Sequence, residues 1–195
     1  MRFWFSPRWT SLTNGGTGPG SFARLLTIGS WSSNASIGVW QLALDSAGDR
    51  LSLVAQDNAG HSAGTTNLVT PSVIVSNQWH QIAVVYTPSN TAIYVDGTRL
   101  GSGGAGLTNI VPPQLILDQG FYLGTDNSGS QKSKAAFEFL ETFNYPKTST
   151  QISAEYTDTD ADGVSNIQDG NLSNAAIGRL TITIERPQQG ATITR

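Results

Sequence analysis

Apolar and polar positions alternate with a period of two through the first 145 residues, in runs rich in β-branched and aromatic side chains. Such alternation is the mark of half-buried strands. The runs lie at residues 3–5, 22–28, 37–44, 50–56, 79–87, 92–96, 114–117, 121–124 and 135–143. Turn signals separate them, among them Asn14-Gly15-Gly16, Ala47-Gly48-Asp49, Asn58-Ala59-Gly60 and Asp96-Gly97. Each can supply the positive φ that a chain reversal needs. Asp96-Gly97 stands between Ala92-Ile93-Tyr94-Val95 and Thr98-Arg99-Leu100 and predicts a two-residue hairpin. Parity turns Trp40, Leu42 and Leu44 of the third run into the core, and puts Ile82, Val84 and Tyr86 on one face with His80. Only residues 149–156 suggest a helix. Nine or more strands with almost no helix predict an all-β fold of two packed antiparallel sheets.

Composition sharpens this picture. Charged residues are 13% of the 195, about half the usual share, so the polar positions are filled by Gly, Ser, Thr and Asn, as turn-rich β proteins require. A net charge of -3 offers no basic field for a phosphate backbone, and nucleic acid is not an expected partner. The absence of cysteine removes disulfides, thiolate metal sites and cysteine nucleophiles together. Met1-Arg2-Phe3-Trp4-Phe5-Ser6-Pro7 lacks the basic and long apolar regions of a secretory leader. No apolar run approaches the roughly 20 residues of a membrane span, so membrane insertion is not expected.

The sharpest chemical pattern lies past the strands. Asp158-Thr-Asp160-Ala-Asp162-Gly163-Val164-Ser-Asn166-Ile-Gln-Asp169 places oxygen ligands at positions 1, 3, 5, 9 and 12 of a calcium loop, with glycine at 6 and the Val164 carbonyl at 7. Calcium is the cofactor this predicts. Asp169 replaces the glutamate of helix–loop–helix sensors, and no long amphipathic helices flank the loop, so a bracing role is expected rather than a switch. The bland alternative is an acidic, solvated linker. The loop resembles those of thrombospondin type 3 repeats and dockerins, which implies a connecting element in an extracellular protein.

Residues 77–86, Asn77-Gln78-Trp79-His80-Gln81-Ile82-Ala83-Val84-Val85-Tyr86, followed by Ala92-Ile93-Tyr94-Val95-Asp96-Gly97, resemble the hallmark of laminin G-like domains. Phe137-Glu138-Phe139-Leu140-Glu141-Thr142-Phe143-Asn144-Tyr145-Pro146, with Gln151-Ile152 and Tyr156, is similar to that family's last strand and closing helix. The resemblance implies a concanavalin A-like jelly-roll sandwich over residues 1–156. It also implies acidic residues at positions 138 and 139, of which Glu138 is present and Phe139 departs.

Catalysis finds little purchase in the pattern. Some sandwiches of this kind hydrolyse glycosides with two carboxylates on one strand face. Glu138 and Glu141 are three apart and are therefore expected on opposite faces. His61 and His80, the two histidines, have no serine or cysteine in a nucleophile setting, and His80 is expected to be structural. Residues 101–106 are glycine-rich but lack the Lys-Ser/Thr ending of a phosphate cradle, and read as a flexible loop. No catalytic residue is expected. For ligand contact the candidates are Trp31, in a polar loop where it serves either a ligand or loop anchoring, and the pair Asp126 and Asn127, which a turn role also explains.

Three segments follow: the sandwich at 1–156, the calcium loop and linker at 157–170, and a tail at 171–195. In the tail, residues 180–185 alternate like the first strand of a following, immunoglobulin-like domain. The expected protein is a non-catalytic carbohydrate-binding or adhesion module of a larger secreted or surface-attached bacterial protein. Its expected partners are a glycan or other surface component and the neighbouring domains. A ligand-free spacer and an accessory module of a glycoside hydrolase are the other readings.

Overall fold

A computed structural model of the chain describes residues 1–28, 39–56, 66–68, 74–104 and 121–157. Trp31, His61, the run 114–117, the calcium loop and the tail strand lie outside the described residues. The described chain is β1 (Arg2–Pro7), a 3-10 turn (Leu12–Asn14), β2 (Ala23–Ile28), β3 (Val39–Leu44), β4 (Leu51–Gln56), β5 (Thr66–Leu68), β6 (His80–Tyr86), β7 (Thr91–Val95), β8 (Thr98–Gly104), β9 (Phe121–Leu123), β10 (Ala135–Glu141) and α1 (Ser149–Thr157). Sheet A has the order β10-β1-β6-β7-β8 and sheet B the order β5-β4-β3-β2-β9. The ladders are antiparallel throughout. The two-sheet, all-β sandwich expected from the alternation is therefore the fold.

The core lies between the sheets. Phe3 and Phe5 of β1, Ile82 and Val84 of β6 and Ile93 of β7 face Leu26, Trp40, Leu42, Leu44 and Leu53 of sheet B, all buried. Trp40 meets Tyr86 edge-on, with ring centroids 4.7 Å apart, so the faces predicted for the third and sixth strands are those that pack. His80 is buried among them, tilted against Phe5. Its Nδ1 bonds Asp96 Oδ2 at 2.7 Å, while Nε2 accepts the Val75 N–H at 3.1 Å. Accepting at Nε2 requires a neutral ring with the proton on Nδ1, a structural role as expected.

The Asp96-Gly97 hairpin forms as predicted, with φ of 51° and 72°. Positive φ at both central residues is the I′ geometry that matches strand twist. A Cβ on Gly97 would stand 3.0 Å from Tyr156 Cβ, because the last turn of α1 seats on this turn. The helix covers the outer face of sheet A, where Ile152 packs on Ala83, Ala92 and Tyr94. Tyr156 stacks on Trp4, centroids 5.8 Å apart. A capping box starts the helix: Thr148 Oγ1 accepts the Gln151 N–H at 3.2 Å and Gln151 Oε1 accepts the Thr148 N–H at 2.9 Å.

Two expectations are corrected. The glycine-rich stretch is not wholly a loop: β8 continues to Gly104, which pairs with Thr91 after a register shift. Backbone pairing needs no side chain, and Gly101 at φ 65° absorbs the shift. The second correction concerns Glu138 and Glu141. Trp4 pairs with Glu138 and Arg2 with Glu141, so two residues of β1 span three of β10. The extra residue is a bulge, marked by Phe139 at φ 52°. Arg2 and Trp4 share a face, and their opposite residues share it too. The two carboxylates thus lie on one face, not two. Glu141 is engaged there by Arg2, which also donates to Glu155 Oε2 at 2.9 Å.

Candidate functional site

Two places gather polar chemistry. One is a cleft of about 320 Å³ beside α1, lined among others by Ala83, Val85, Ile152, Phe143 and Tyr145. Its basic groups already have partners: Arg2 pairs with Glu141 and Glu155, Lys147 pairs with Glu155 over the Phe143 ring, and the Met1 amino group donates to the Val84 carbonyl at 2.9 Å. The other place is the rim of sheet B, where the start of β2, β9 and the turn 124–133 meet.

This rim follows from β2. Ala23 and Leu26 face the core and Leu25 is an inserted residue, because two residues of β3, Ala43 and Leu42, oppose Arg24 and Leu26 across a register shift. The bulge leaves Arg24 and Thr27 together on the outer face, in spite of their odd spacing. The chain at 131–133 returns beside β2: the Arg24 N–H donates to the Gln131 carbonyl at 3.0 Å, and Arg24 forms an isolated bridge with Lys132. Behind it, Trp9 Nε1 donates to the Ser133 carbonyl at 2.7 Å and fixes the segment to the sandwich.

The Arg24 guanidinium is clamped by two side-chain amides. Nε donates to Gln131 Oε1 at 2.6 Å and Nη1 to Gln41 Oε1 at 2.5 Å. Arg only donates, so both amide oxygens must face it and both amide NH₂ groups turn away as donors. Among the described residues no carboxylate lies within ion-pair reach of Arg24. Burial pulls its pKa below the usual arginine value, and the charge of Asp126 partly offsets the pull. Phe22, two residues earlier, is 54% exposed. Thr27 stands opposite Gln41 and Tyr122 with its Oγ1 buried and without a partner among the described residues.

Asp126 is at this rim, and its carboxylate is occupied by its own turn. Oδ1 accepts the Ser128 N–H at 3.1 Å, the Ser128 hydroxyl at 2.8 Å and the Ser130 N–H at 2.7 Å, while Oδ2 accepts the Ser130 hydroxyl. Burial would raise its pKa, but the hydrogen bonds from Ser130 and Ser128 outweigh it and hold the carboxyl below its usual value. Asn127 is exposed at the tip. Of the expected ligand residues, then, Asp126 and Asn127 are brought to one rim with Arg24. Phe22, Arg24, Gln41, Tyr122 and Gln131 were missed in the sequence. The available signal was Arg24 itself, a lone charge inside the apolar run Phe22-Ala-Arg-Leu-Leu-Thr-Ile.

Residues 8–153 match the Laminin_G_3 family, described as the concanavalin A-like lectin/glucanases superfamily. No curated protein matches the sequence. Among solved structures, the CBM40 of the Ruminococcus gnavus IT-sialidase aligns at a TM-score of 0.51 and 10% identity, over 78% of this chain and 81% of that one. The same module bound to alpha2,3 sialyllactose aligns at 0.51 and 9% identity, over 78% and 79%. A native heptameric SAP-like pentraxin from Limulus polyphemus aligns at 0.47 and 15% identity, over 85% and 72%. At such identities the likeness is one of fold.

Proposed function

The chain belongs to the concanavalin A-like lectin/glucanases superfamily, and from that premise we propose that it is a non-catalytic carbohydrate-binding module. It serves recognition or adhesion in a larger secreted or surface-attached bacterial protein, next to further domains. The observation that carries this reading is the rim of sheet B, where a guanidinium held by two neutral amides stands two residues along the chain from the exposed Phe22. Sugars are bound by such means: an aromatic ring for the apolar face of the pyranose, and fixed donors and acceptors for its hydroxyls. The fold shared with a sialidase's carbohydrate-binding module is consistent with it. Trp31, outside the described residues, remains a second aromatic proposed for the same task.

The proposal includes a structural calcium ion held by Asp158, Asp160, Asp162, the Val164 carbonyl, Asn166 and Asp169, on the strength of their spacing. Its role is to stiffen the connection that leaves α1. Calcium titration of the parent against the Asp160→Ala, Asp162→Ala double variant tests this; equal affinity in both would remove calcium from the reading.

A broad glycan array probed with the full chain tests recognition. We expect binding to a subset of glycans, weakened at least tenfold by Phe22→Ala, the scale of one lost ring contact. Binding to no glycan would favour the spacer reading instead.

A further inference from the structure

We infer that the rim site selects glycans bearing a carboxylate, that is, acidic sugars rather than neutral ones. The inference rests on the carbohydrate-binding reading above and deepens it. It begins with the distribution of charge. The chain carries a net charge of -3 and only 11 basic residues, yet the segment 131–133 brings Lys132 beside Arg24. Arg24 bridges Lys132, and the Lys134 carbonyl accepts the Arg8 N–H at 2.9 Å. Lys134 turns its Nζ to the Pro19 carbonyl at 2.9 Å, so Lys132 is the cation that the bridge sets beside Arg24.

The second argument is the contrast among the cations. Arg2 is buried and Lys147 partly buried, each with a carboxylate partner in contact. Arg24 is half-buried and, among the described residues, its guanidinium is met by neutral amide oxygens. Amides fix the plane of the guanidinium without neutralising it. Asp126, whose charge acts on Arg24, spends both oxygens on Ser128 and Ser130. These bonds use Nε and Nη1, which among the described residues leaves Nη2 and one further N–H for a ligand. A partly desolvated, pre-oriented fork with no carboxylate in contact among the described residues is complementary to a planar carboxylate, which it grips with two parallel bonds. Exposed Lys132 adds attraction at longer range.

The test compares matched pairs of probes by calorimetry on the full chain: sialyllactose against lactose, and oligogalacturonate against its methyl ester. We expect one acidic probe to bind roughly tenfold or more tightly than its neutral partner, the scale of one charge-assisted hydrogen bond. Added salt should weaken that preference. Arg24→Gln should abolish it, and Arg24→Lys, which keeps the charge without the fork, should restore only part of it. Thermal melts of both variants check that the fold is kept. Lys132→Ala, an exposed position, should reduce the preference modestly and leave stability unchanged. Equal binding of acidic and neutral probes, or a preference that survives Arg24→Gln, overturns the inference while leaving glycan recognition standing. Failure of both pairs, together with a silent array, overturns recognition itself.

Discussion

Gly48 shows how much a single residue can decide. It sits at φ 74°, and a Cβ there would lie 2.4 Å from Trp9 Cζ3. Trp9 cannot step aside, since it is buried and its Nε1 is tied to the Ser133 carbonyl. Gly48→Ala therefore meets both a left-handed backbone penalty and overpacking, and should cost about 2–4 kcal/mol in urea unfolding. The sequence marked Ala47-Gly48-Asp49 as a turn, but nothing in it named the indole pressed against the glycine. Asp126 offers a second test at this scale. Its carboxyl is held below the usual value, so the charged form that binds Ser128 and Ser130 persists as pH falls past a free aspartate's range near 3.9. Protection of the Ser128 and Ser130 amides from hydrogen exchange should thus be present above that range and vanish only as pH drops through the lower, folded pKa. Protection lost at the free-aspartate pH would contradict it.

At the scale of elements, two bulges separate what alternation reveals from what it hides. Eight of the nine apolar runs fall among the described residues, and each became a strand, because the core side chains that define them are also what the sheets bury. Parity then fails at Leu25 and at Phe139, where one extra residue flips every position that follows. Those two insertions hid Arg24 with Thr27 on one face, and Glu138 with Glu141 on another. No side-chain pattern announces a bulge, which depends on how the partner strand spaces its residues. The three-residue β5 escaped notice because it is short and polar at its start. Helix α1 was legible, yet its seat was not: apart from Ile152, it is held by Tyr156 on Trp4 and by Glu155 on Arg2 and Lys147. Arg2→Met leaves Glu141 and Glu155 without that partner. We expect a loss of about 1–3 kcal/mol, less than a fully buried pair would give, since both carboxylates are partly exposed. Chemical denaturation measures it.

For the molecule as a whole, the strands most distant in sequence are neighbours. Residues 2–7 pair with residues 135–141, so sheet A closes only when both ends of the sandwich are in hand. Such non-local pairing predicts slow folding, in the millisecond-to-second range, for stopped-flow fluorescence to check. The proposed calcium loop begins at Asp158, the residue after α1 ends. If metal braces that junction, calcium should raise the thermal midpoint of the full chain and leave that of the Asp160→Ala, Asp162→Ala variant unchanged.

The place of β1 has a mechanical consequence. It lies inside sheet A, bonded to β10 on one side and β6 on the other. Tension arriving along β1 would have to shear two ladders at once, with their hydrogen bonds loaded side by side. Tension leaving through Thr157 meets a nine-residue helix whose buried side chain is Ile152, and can peel it away turn by turn. Under such a load α1 would yield first and lengthen the chain while the sandwich, with the proposed rim site, stayed intact.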